Sequence, residues 1–235
     1  MSPIIRTRST PAAPRPGGLS NLRFSLVAVF VVAVGVLLAV TRGGFAGTEA
    51  GTGAEAEAAA VASREDSLRL STAPGSTVDL VEFLDFECEA CRAAYPAVEQ
   101  LRAEYGDRVD VVLRYFPVPS HVNAERAARA VEAAARQGRH EAMYALMFET
   151  QTEWGEQQVP MDDRFRGYAE RIGLDMGRYD ADYTDPATAE RVEADRRDGL
   201  ALGVRGTPTF FVNGRMLEPR SLDDLRTALD EALAG

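Results

Sequence analysis

Two cysteines three residues apart, Cys88 and Cys91, sit where a strand pattern meets a helical one, and the 235-residue chain has no other cysteine. Residues 78–86 (VDLVEFLDF) are a short apolar run rich in Val, Leu and Phe, the pattern of a buried strand. The cysteine pair follows at once. Residues 92–105 then place Ala94, Val98, Leu101 and Tyr105 at helical spacing, and residues 109–116 (VDVVLRYF) read as a second strand, closed by Pro117 and Pro119. Strand, helix and strand over about 40 residues make a βαβ unit, because parallel strands need a crossover between them. A chain organised around that unit is an α/β protein.

The rest of the chain reads around this centre. Residues 124–136, 141–150, 162–172 and 186–203 carry helical patterns, with Gly138 and Gly173 as stops, Asp162 as a cap and Pro186 in a first turn. Residues 209–212 and 215–217 are strands joined by Asn213-Gly214, a hairpin signal, and residues 222–233 form a closing amphipathic helix. The expected domain spans residues 67–235: a small sheet interrupted by a helical insertion over about residues 122–202, without internal repeats.

Before that domain the composition changes. Residues 1–23 are rich in Pro, Ser, Thr, Gly and Arg and read as a disordered cytoplasmic tail. Residues 24–40 (FSLVAVFVVAVGVLLAV) carry no charge, and a spanning helix needs about 17–25 such residues. Arginines precede the run and the first acid is Glu49, so a single transmembrane helix over residues 24–41 points its N-terminus to the cytoplasm. The alternative is a cleaved signal sequence, with small residues at 43–47 for processing, although the apolar run exceeds the usual core of about 7–15 residues. Either reading puts the domain outside the cytoplasm, where disulfides persist. Residues 42–66, mostly Gly, Ala, Thr and Glu, read as a flexible linker.

Charge narrows the function. The formal net charge is −10, but residues 1–41 hold four arginines and no acid, leaving 22 basic against 36 acidic residues and a net −14 beyond them. Phosphate binding relies on concentrated basic side chains, so nucleic acid is excluded as a partner.

A CxxC pair at a strand–helix junction has a chemical logic. The helix N-terminus stabilises a thiolate on the first cysteine, and thiolate is the nucleophile in disulfide exchange. Cys88 is therefore the attacking thiol and Cys91, one turn further on, the resolving one. Two other uses stay open. A zinc site would need further ligands, for which His121 and His140 are the candidates. A structural disulfide would close a loop too small to restrict the unfolded chain much. Asp85, Glu87 and Glu89 lie close to Cys88 in sequence. They either raise its pKa and weaken it as an oxidant, or face solvent and are screened.

The segments VEFLDFECEAC, FPVPSHVNAERAARAVEAAARQG and GTPTFFVNG together resemble the DsbA-like branch of the thioredoxin superfamily, in its membrane-anchored bacterial form, over about residues 68–235. The resemblance implies a thioredoxin fold with a helical insertion and a redox-active disulfide between Cys88 and Cys91. It makes Pro208 a cis-proline lying against the pair, with Thr207 before it, and Glu82 a buried acid that assists proton transfer. It implies no cofactor and no metal. The partners it implies are extracytoplasmic proteins with thiols or disulfides and a membrane redox partner, with the bilayer engaged through residues 24–41. The dipeptide Glu89-Ala90 departs from the Pro-His of strongly oxidising members, so the direction of electron flow stays open between oxidase, reductase and isomerase. A non-enzymatic metal carrier is the remaining alternative. Trp154 reads as core or surface of the insertion.

Overall fold

A computed structural model describes residues 49–235. The expected tail and anchor over residues 1–41 lie outside them. Among the described residues no helix is long and apolar enough to cross a membrane.

Helix α1 (Glu49–Ala62) leads to strand β1 (Leu68–Ser71), and the βαβ unit follows as β2 (Asp79–Leu84), α2 (Glu89–Tyr105) and β3 (Asp110–Tyr115). The insertion contains α3 (Ala124–Ala135), α4 (His140–Glu149), a single 3-10 turn (Gln151–Glu153), α5 (Asp162–Arg171), α6 (Met176–Thr184) and α7 (Pro186–Ala201). The chain returns through β4 (Thr209–Val212) and β5 (Arg215–Leu217) and ends in α8 (Leu222–Ala234).

The sheet runs β1-β3-β2-β4-β5. β2 and β3 pair in parallel from Asp79↔Asp110 to Leu84↔Tyr115, and the other strands add antiparallel. Both central strands are buried at every position after the first, which is why they read as continuous apolar runs instead of alternating ones. Their alternate residues feed two cores. Leu80, Leu84, Val111, Leu113 and Tyr115 join α2 and the insertion, whereas Val81, Phe83, Val112 and Phe116 meet Val204, Phe211 and Ala62. On that second side α7 crosses so close that a Cβ on Gly199 would lie 2.8 Å from the Phe116 ring.

Four expectations change. The linker read over residues 42–66 includes α1, whose Ala62 is fully buried in the second core. Alanine has the highest helix propensity, and the helix docks through small residues: a Cβ on Gly214 would strike the Ala59 backbone. Its C-terminal carbonyls are held by Arg114, which is fully buried and donates to Val61 O at 2.6 Å and Ala62 O at 2.7 Å. The same guanidinium pairs with Asp195 at 2.7 Å and Asp198 at 2.6 Å on α7. β1 and α6 went unread, being a four-residue edge strand and a short polar helix whose N-cap, Asp175, accepts from Arg178 N. Asp162 opens α5 without capping it; its carboxylate takes Arg126 and Tyr183 instead.

Candidate active site

β2 delivers the chain to the top of the sheet, and Asp85-Phe86-Glu87 turns it into α2. Cys88 takes the N-cap position in extended geometry (φ −70°, ψ 122°), and its own N–H donates to Asp85 O at 3.1 Å. The first N–H groups of α2 are thus left facing the sulfur without an oxygen cap. Both cysteines are thiols; Cys88 is half-buried and Cys91 fully buried one turn below.

The return to β4 completes the site. Thr207–Pro208 is a cis peptide bond, and Cys88 Sγ lies 3.4 Å from Thr207 O. The Thr207 hydroxyl is buried without a partner among the described residues, placed to donate to the sulfur once it ionises. These contacts split the two thiols. The hydrogen bond from Cys91 pulls Cys88 down to about 5, helped by Thr207 and the N–H groups of Cys91 and Ala90, and opposed by partial burial. Burial drives Cys91 well above its ordinary value, and the same hydrogen bond adds to the rise. Glu82, on central β2 opposite Leu113 and Phe210, is buried, and desolvation pushes it up to about 8, with the Cys88 charge adding to the rise.

The acids nearest Cys88 neither face it as bare charges nor all reach solvent. Asp85 is buried and accepts from Glu87 N, Val118 N and His121 Nδ1 at 2.8, 2.9 and 2.7 Å. Glu87 is buried too; its oxygens accept from Asn123 N at 2.6 Å and Glu156 N at 3.0 Å. Only Glu89 is exposed. The expectation that these acids raise the Cys88 pKa therefore fails, because two of the three carboxylates are engaged by backbone donors on the loops opening α3 and α5. His121, beside Asp85, has its pKa raised by that hydrogen bond. His140 is elsewhere, 2.8 Å from Arg69 O. Among the described residues no three side chains from His, Cys, Asp and Glu gather to hold a metal. Trp154 is insertion core, edge-on to Phe165 at 4.9 Å.

One residue of the site was invisible in the sequence. Gln151, in the turn after α4, is buried, and its amide donates to Phe86 O at 2.7 Å and Cys88 O at 2.9 Å. Its oxygen accepts from Arg92 Nε at 3.1 Å. A lone Gln between two helices carries no local signal; only the fold brings it 63 residues back to the cysteine loop.

Comparison with known proteins agrees with this architecture. Residues 72–231 match the thioredoxin family model. A Na(+)/H(+) antiporter NhaA of Herminiimonas arsenicoxydans is 41% identical over 148 residues, 63% of this chain but 22% of that protein. The chain thus spans about a fifth of the length of such curated relatives. A thioredoxin-like oxidoreductase from Silicibacter pomeroyi is similar in structure, with 27% identity, a TM-score of 0.59, and coverage of 72% of this chain and 93% of that one. The thiol-disulfide exchange protein alpha-DsbA2 from Wolbachia pipientis shares the fold at a TM-score of 0.64 with 21% identity, covering 79% and 99%. With the cysteine pair at the strand–helix junction, the cis-proline turn beside it and a family match over most of its length, the chain belongs to the thioredoxin family.

Proposed function

We propose that this chain is an extracytoplasmic thiol–disulfide oxidoreductase that oxidises protein thiols through Cys88 and Cys91. The observation that carries the reading is the split between the two sulfurs: a half-exposed thiol drawn down to about 5 above a buried one held high. In the disulfide form, a substrate thiolate attacks Cys88 Sγ, forming a mixed disulfide and expelling Cys91 as the leaving group. That sulfur needs a proton, and the neutral carboxyl of Glu82 beside it supplies one. The substrate's second thiolate then attacks its own sulfur in the mixed disulfide and releases Cys88 as a thiolate. Two electrons pass from substrate to enzyme, and a membrane redox partner removes them.

The low Cys88 pKa favours the dithiol form of the enzyme and hence oxidation of its substrate. Against a thioredoxin reference (pKa about 7, potential about −270 mV), two pKa units are worth about 60 mV, which gives about −210 mV. Equilibrating the full-length chain with glutathione buffers and counting thiols tests this. A potential near about −270 mV would instead support a reductase fed by a membrane donor. Cys88→Ser should abolish turnover and Cys91→Ser should accumulate mixed disulfides; turnover retained without Cys88 would refute the scheme.

The location rests on residues 24–41, an uncharged apolar run behind four arginines, as a bilayer anchor with residues 1–23 in the cytoplasm. After brief reduction of intact cells with a membrane-impermeant phosphine, a membrane-impermeant thiol reagent should label Cys88; labelling only after lysis would reject that topology.

A further inference from the structure

Beside the Thr207–Pro208 turn lies an open cavity of about 1080 Å³, bounded by residues 203–210 on one side and by residues 216–220 on the other. Part of its wall is apolar: Met216 is 38% exposed, unusual for so large an apolar side chain in this domain, and Leu217 lies next to it. The rest is cationic. Arg205 and Arg220 both line the cavity, and neither guanidinium forms an ion pair within 4.0 Å among the described residues; the Asp224 carboxylate accepts instead from the Arg220 main-chain N–H at 2.8 Å. Arg205 spends one N–H on the adjacent Val204 carbonyl and is otherwise uncommitted.

The charge beyond residue 41 is −14, and most arginines of the domain are paired with acids; Arg136, Arg166 and Arg226 are each held between two. Among the residues lining the cavity the only acid is Glu218, against two guanidiniums, while Asp224 is spent on the main-chain N–H groups of Arg220 and Ser221 that lead into α8. An uncommitted guanidinium presents a planar fork of donors that fits a carboxylate in bidentate fashion. Beyond about 8–10 Å the remaining negative charge of the domain is screened by salt, so the two arginines govern what binds at short range.

We propose that the groove selects protein substrates carrying Asp or Glu close to the reacting cysteine. Arg205 and Arg220 take the carboxylates while an apolar neighbour of the cysteine rests on Met216 and Leu217. The groove shares the turn whose Thr207 oxygen touches Cys88 Sγ, so a segment lying in it brings its own sulfur to Cys88. The selectivity rests on the exchange reading above and adds a preference in charge to it.

The test uses the full-length chain in its disulfide form and two dithiol peptides, identical except for Glu or Arg at the two positions flanking one cysteine. Each rate is divided by the same peptide's rate with bis(2-hydroxyethyl) disulfide, an uncharged reagent, which removes the effect of the flanking charges on thiol reactivity. The Glu peptide should show about tenfold higher kcat/KM than the Arg peptide, the product of two exposed ion pairs, and the ratio should shrink as salt is added. The double substitution Arg205→Glu and Arg220→Glu should invert the ratio. Equal normalised rates for the two peptides, or a ratio unchanged by the double substitution, would overturn the selectivity. Oxidation of dithiothreitol by the unaltered chain reads the exchange separately: if that also fails, the exchange reading itself falls.

Discussion

Cys88 owes its low pKa first to the thiol of Cys91, and only then to Thr207 and the helix N–H groups. Removing that donor with Cys91→Ala should therefore raise the Cys88 pKa by at least about one unit, read from thiolate absorbance against pH. Cys91→Ser keeps a hydroxyl in place and should move it less. Glu82 acts in the opposite sense. Its carboxyl is neutral in the folded protein up to about pH 8 but ionises near 4.5 when exposed. The folded state holds the extra proton between those values, so this group's contribution to stability is intact below about pH 4.5 and is lost as pH rises through 8. Glu82→Gln removes the dependence, and its stability advantage over the unaltered chain should widen by about 1 kcal/mol per pH unit from 5 to 8 in urea titrations. A constant difference across that range would mean that Glu82 ionises normally in the fold.

The elements divide by how far apart their determinants lie. β2, β3, β4 and β5 and most helices were legible because each carries its own signal: apolar runs, the Asn213-Gly214 turn, Pro186 at the start of α7. The cysteine pair was legible for the same reason. α1 was not, since alanine and glutamate serve a helix and a tether alike and only docking against Gly214 and Arg114 decides between them. Nor were the fates of Asp85 and Glu87, which depend on amides at Val118, Asn123 and Glu156 that sequence distance conceals. The turn carrying Gln151 is the sharpest case. Gln151→Leu strips the Phe86 carbonyl of that donor and leaves Cys88 O with only the helical bond from Arg92 N. A loss of about 1–3 kcal/mol in unfolding free energy should follow, since a buried acceptor goes unpaired. The exchange rate of Cys88 should fall with it; an unchanged rate would confine Gln151 to holding the fold.

Across the whole domain, one buried cation joins three separate stretches of chain. Arg114 on β3 ties the end of α1 to Asp195 and Asp198 on α7, with Phe83 beneath the guanidinium at 5.1 Å. Arg114→Ala leaves a fully buried carboxylate at Asp195 with one cation fewer, and should cost about 3–5 kcal/mol in stability. Arg114→Met fills the space but likewise takes one cation from Asp195, which keeps Arg191, so it too should destabilise; an Asp195→Asn partner substitution should restore part of the loss.

The clamps on the cysteine loop also bear on modularity. Glu87 and Gln151 fasten residues 86–88 to the insertion by four short contacts, so the helices between β3 and β4 are not an appendage on a smaller self-sufficient body. Excising them would strip the Glu87 carboxylate and the Phe86 carbonyl of their partners at the point where the chemistry happens. Sheet and insertion thus share one cooperative unit, and the domain should melt in a single transition.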